Sequence, residues 1–94
     1  MKLLMLIVDD AKKEALEAFL NRAGVVGYTE IPHAVGLGST GPRLGSRAFP
    51  KTSAVVFTVI EATALEALLR DLKAYCEDCA ESLKGFVWGV EAAI

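Results

Sequence analysis

The stretch 36-GLGSTGPRLGSRAFPK-51 decides the fold. Its first six residues read G-x-G-x-x-G. Between a strand and a helix, that pattern cradles a pyrophosphate and belongs to a parallel sheet. A strand-like run precedes Gly36, but Pro42, Gly45 and Pro50 exclude the helix that must follow. Glu61 falls about where a ribose-binding acid would stand, yet it closes the next strand. No G-K-[ST] follows, so the Walker reading fails too. What remains is a long excursion between two strands, spanning 36–52. It has four glycines for close backbone approach, three cations (Arg43, Arg47 and Lys51) and no acid. Backbone N–H groups and arginine forks suit phosphate, carboxylate or an acidic partner. A solvated hairpin loop is the alternative.

Outward from that excursion the elements alternate. Before it, 25-VVGYTEIPHAV-35 mixes β-branched, aromatic and polar residues. Pro32 lacks an N–H, so this strand belongs at an edge or carries a bulge. After it, 54-AVVFTVI-60 is almost wholly apolar, as is 3-LLMLIV-8 near the N-terminus. Both suit strands covered on two faces. Asp10 is placed to cap a first helix, with Ala15, Leu16, Phe19, Leu20 and Ala23 on one face and Gly24 at its end. Thr63-Ala-Leu-Glu66 has the capping-box pattern for a second. Its stripe runs through Leu65, Leu68, Leu69, Leu72, Cys76 and Cys79. Gly85 is read as the next break, and 86-FVWGVEAAI-94 as the last strand.

The order β-α-β-β-α-β predicts an α+β, ferredoxin-like sandwich in one domain, 1–94: an antiparallel four-stranded sheet with two helices on one face. The two most apolar strands fall in the two central positions of that topology. Their helix-free face would still carry apolar side chains. A second copy of the chain is the simplest cover, so a homo-oligomer is expected.

Bulk properties narrow the function. The 94 residues are 53% hydrophobic with a formal net charge of −2. A nucleic-acid partner would demand a basic face, and the aromatic-rich central strands of RNA-recognition domains are absent. No run reaches transmembrane length, and the N-terminal run lacks a signal-peptide pattern. The expectation is a cytoplasmic protein with no membrane insertion. Cys76-Glu-Asp-Cys79 has metal or redox spacing, but it lies late in the second helix beside acids, where thiolate is disfavoured. It continues the leucine stripe and reads first as core. His33 alone makes no zinc site, though copies of the chain could pool it. Trp88 reads as core or interface. No nucleophile, base and orienting group can be placed together, so a binding module is expected rather than an enzyme.

The run 24-GVVGYTEIPHAVGLG-38, the following loop, 49-FPKTSAVVFTVIE-61 and the late 85-GFVWGV-90 together resemble the P-II-like signalling proteins. That resemblance implies a homotrimer with an adenine nucleotide (ADP, AMP or ATP) in clefts between subunits. It further implies that the 36–52 loop engages a transporter, enzyme or regulator. It implies effector-binding roles for Thr29, Gly36, Leu37, Gly38, Ser39, Lys84 and Gly85. Ser39 and Thr40 stand where typical members carry arginine and glutamine. The usual glycine-rich phosphate loop before the last strand is replaced by 79-CAESLKG-85, where Lys84 and Gly85 echo it. The trimeric CutA-type proteins share the fold. A metal-binding trimer of that kind, or a thiol- or metal-responsive sensor, is therefore the alternative reading.

Overall fold

The computed structural model describes residues 1–38, 41–75 and 83–92. Strand β1 (Lys2–Asp9) passes through a short 3-10 turn (Asp10–Lys12) into helix α1 (Lys13–Arg22). Then come β2 (Thr29–Ala34), β3 (Gly36–Gly38), β4 (Gly41–Arg43), β5 (Ser53–Ile60), α2 (Ala62–Tyr75) and β6 (Leu83–Gly89). Four of the strands form one antiparallel sheet in the order β2-β5-β1-β6. The two apolar runs are indeed its central strands, with Leu4 opposite Thr58 and Leu6 opposite Val56. This is the ferredoxin-like α+β fold.

Alternation along the central strands divides the sheet into two faces. Leu4, Leu6, Val8, Ala54 and Val56 are buried against Leu16, Phe19 and Leu20 of α1 and Leu65, Leu68 and Leu72 of α2. The helical residues recur every three or four positions, which aims one stripe at the sheet. Each such leucine contributes roughly 1.5–3 kcal/mol by leaving water. The Phe19 and Tyr75 rings stack at 4.9 Å and join the two helices. Among the described residues, no helix covers the opposite face. Leu3, Met5 and Ile7 alternate onto it from β1, with Val55 and Phe57 from β5. Phe86 lies beside Met5 and Trp88 beside Leu3, and these two rings are 49% and 45% exposed. One chain leaves this apolar surface open.

Several local expectations shift. Asp9, not Asp10, caps the first turn, accepting the Ala11 N–H at 3.0 Å. Helix α2 begins at Ala62, with the Glu61 carbonyl accepting from Ala64 and Leu65, so Thr63 lies inside the helix rather than at its cap. The last strand spans Leu83–Gly89, not 86–94, and Gly85 is inside it. Gly85 faces Leu6, where a Cβ would come within 3.1 Å of a leucine methyl carbon. A side chain there would have to push that leucine aside by a few tenths of an ångström, so close packing across the sheet accounts for a glycine inside the strand. Pro32 behaves as its chemistry requires: β2 is an edge strand, and its register shifts between Ile31 and Ala34. No described helix is long and apolar enough to cross a membrane.

Candidate functional site

Thr29 opens the edge strand β2, exposed and opposite Phe57. The segment before it is tied down twice. The Val25 N–H donates to the Leu20 carbonyl at 3.1 Å, and the buried Thr58 hydroxyl donates to the Gly27 carbonyl at 2.7 Å. Thr58 is the one polar side chain in the helix-facing layer of β5, and this bond satisfies it.

Residues 36–52 are not one irregular loop. Strands β3 and β4 pair as a short arm, Gly36 opposite Arg43 and Gly38 opposite Gly41. Gly41 and Gly45 take φ of 102° and 64°, conformations that explain glycine there. Gly36 and Gly38 do not: their φ is ordinary, and a Cβ on either would meet nothing within 4 Å. Leu37 between them is 81% exposed. Among the described residues, nothing within one chain accounts for two glycines around an exposed leucine.

The arm's three cations differ in placement. Arg43, read from the sequence as a contact for an anion or an acidic partner, is turned inward. One Nη lies 2.7 Å from Asp9 Oδ2 and also donates to the Thr52 carbonyl at 3.2 Å. Its Nε donates to Ser53 Oγ at 3.0 Å. Arg47 and Lys51 are exposed. Burial pushes the Asp9 carboxyl up, but the Ala11 N–H, the Arg43 guanidinium and the more distant Lys51 charge outweigh it, so its pKa is lowered. Asp10 works beside it. Its Oδ2 accepts the Thr52 hydroxyl and, at 3.1 Å, the His33 N–H. His33 Nδ1 lies 3.5 Å from the same oxygen, and its backbone takes φ 58°, unusual for a side-chain-bearing residue. Two adjacent acids at the end of β1 thus pin the end of β2, the end of β4 and the start of β5.

Lys84 and Gly85 sit elsewhere. They lie on β6, opposite Ile7 and Leu6, at the far edge of the sheet from Thr29. Three strand spacings separate those edges, about 14 Å. A single chain does not bring the residues into one pocket. A cavity of about 310 Å³ does open within the chain, between Ala23–Gly27, Val59–Glu61, Ala64, Leu68 and Met1. None of the described residues anticipated for effector binding lines it. Ser39, Cys76 and Cys79 lie outside the described residues. Among the described residues, no three His, Cys, Asp or Glu side chains gather as a metal site.

Sequence reasoning passed over Asp9, Ser53 and Thr58 as anchors, and Asp10 as more than a cap. It also passed over Glu30, whose pKa is raised by a hydrogen bond with Glu17, then by burial and by that neighbour's charge. A usable signal existed for the first: an acid-free arm with an arginine beside a strand that ends in two aspartates.

The family model of nitrogen regulatory protein P-II matches the chain over residues 1–94. The chain belongs to the P-II family. No curated protein sequence matches it. Among solved structures it is similar to CPII, a nitrogen regulatory PII-like protein from Thiomonas intermedia K12, in a form bound to ADP, AMP and bicarbonate. That match has 26% identity and a TM-score of 0.80, over 99% of this chain and 88% of that one. A second form of CPII, bound to ADP, AMP and acetate, matches with 26% identity and a TM-score of 0.77 over the same shares, 99% and 88%. A proposed PII-like signalling protein from Thermus thermophilus shares the fold at 18% identity, with a TM-score of 0.69 over 95% and 85% of the two chains. In the chain, β3 and β4 lie in the segment between β2 and β5.

Proposed function

We propose that the chain is a P-II regulator that works as a homotrimer and binds ADP or AMP in the clefts between copies. The observation that carries this is the separation of Thr29 on β2 from Lys84 and Gly85 on β6, at opposite edges of one sheet, with Gly36 and Gly38 on the short β3 that follows β2. Around a closed ring, the β2 edge of one copy meets the β6 edge of the next, and the two half-sites become one. The open apolar face of β1, β5 and β6 supplies the driving force for closing the ring.

Within that cleft each group has a role. Gly36 and Gly38 let the nucleotide approach the backbone closely, with Thr29 and Ser39 as hydroxyl partners. Lys84 brings a positive charge to the phosphates, and Gly85 keeps the strand flat beside it. CPII holds ADP and AMP together with bicarbonate or acetate, both small anions with an O–C–O edge. The same pairing of an adenine nucleotide with such an anion is proposed for this chain. Arg47 and Lys51 face outward to a phosphate or to an acidic partner surface. The protein acts by binding and presenting its arm to a transporter, enzyme or regulator, not by catalysis.

Calorimetric titration with ADP, AMP and ATP, each with and without bicarbonate, tests the reading. Saturable heats with ADP or AMP, strengthened by bicarbonate, are expected. Heats with divalent copper or zinc and none with any nucleotide would replace this reading by a metal-binding one.

A further inference from the structure

The P-II reading leaves the inward turn of Arg43 without a role. A surface arginine in a segment meant for partners would normally keep its donors in water. Here the side chain is only 15% exposed, and both Nε and one Nη are committed to Asp9, Ser53 and Thr52. Each bond runs from the arm to the end of the sheet. The β3–β4 pair has three residues per strand, too little to persist alone. The other described backbone bonds beyond that pair, from the Leu44 and Ser46 N–H groups to the Phe49 carbonyl and from the Gly45 N–H to the Lys51 carbonyl, are internal to the same excursion. The posture of the arm therefore depends on what holds Arg43.

We propose that Asp9 and Arg43 form an anion-sensitive latch: Arg43 either closes the arm onto Asp9 or is surrendered to an anion, with the arm released. A ligand shifts such a balance only if it binds one state better. The closed guanidinium has its best edge occupied and an aspartate beside it, which repels a second anion. The released guanidinium offers its full fork. Anion binding and arm release are therefore linked, with no nucleotide required. The proposal stands apart from the nucleotide reading, so either can fail alone.

The test is amide hydrogen exchange of the full chain without nucleotide, read over 36–38 and 41–45. Asp9→Asn is a selective change, because the amide oxygen can still accept the Ala11 N–H while the charge facing Arg43 is gone. Exchange in the arm should rise roughly tenfold, with the central amides of β1 and β5 unchanged. Inorganic phosphate, added at constant ionic strength against chloride, should speed exchange in the wild-type arm and add little in Asp9→Asn. Should Asp9→Asn fold poorly, Ser53→Ala removes only the acceptor of Nε and should loosen the same peptides to a smaller degree. An arm equally protected in wild type, Asp9→Asn and Ser53→Ala overturns the latch. So does a wild-type arm indifferent to phosphate.

Discussion

Replacing Thr58 by valine isolates the bond that holds the segment leading to Thr29. Valine matches threonine in shape and fits a position that is 4% exposed, but it cannot donate to the Gly27 carbonyl, 2.7 Å away. A lost internal hydrogen bond costs about 0.5–1.5 kcal/mol, and up to about 3 when its partner stays buried and unpaired. Gly27 is exposed and lies outside any helix or strand, so water can reach its carbonyl and the cost should fall near 1 kcal/mol. For a domain of this size that lowers the thermal midpoint by about 4–8 °C at fixed protein concentration. The effect should also be local. Amides of Val25–Thr29 should exchange faster than in Thr58→Ser, which keeps the hydroxyl and loses only a methyl group. The assay is thermal denaturation with peptide-level hydrogen exchange. A Thr58→Val protein that melts with the wild type, with the 25–29 segment equally protected, would refute the reasoning.

Gly38→Ala should leave stability unchanged or raise it by up to about 0.5 kcal/mol, since the strand there has room for a Cβ and glycine is entropically costly. The same variant should bind ADP at least roughly tenfold more weakly by calorimetry, because the methyl group occupies the approach to the backbone. Glu30→Gln probes the Glu17–Glu30 pair. A carboxyl with a raised folded pKa favours the fold at low pH and loses that contribution as pH rises through the folded value. Removing the charge should therefore stabilise the protein at pH 7 by about 0.5 kcal/mol, with the gain vanishing below the ordinary glutamate range near 4.5. Denaturant titration at several pH values checks it, and a loss of stability at pH 7 would count against the pair.

The parts of the fold that were legible are those where one physical demand dominates. The runs 3–8 and 54–60 are apolar at nearly every position because one face of each central strand packs on the helices while the other carries the open apolar surface. Pro32 marked an edge because it has no N–H to give. Helix starts were less legible. Asp9, Asp10 and Thr63 can all cap, and the choice depends on where the strand ends and which tertiary partners claim the carboxylates; Asp10 goes to Thr52 and His33 instead. Gly85 was misread because only its neighbour across the sheet, Leu6, explains it. The 36–52 excursion was legible as a glycine-rich, cationic stretch, but not as an arm. Arg43 looks like any loop cation until the chain folds back on Asp9. The separation of Thr29 from Lys84 likewise follows from strand order alone.

The central claim is a cleft completed by neighbouring copies and filled by an adenine nucleotide. Sedimentation velocity of the chain with ADP, followed where adenine absorbs, measures both parts at once. The account predicts a trimer boundary that carries ADP with it, close to one nucleotide per chain. A monomer boundary with all the nucleotide left behind would contradict it.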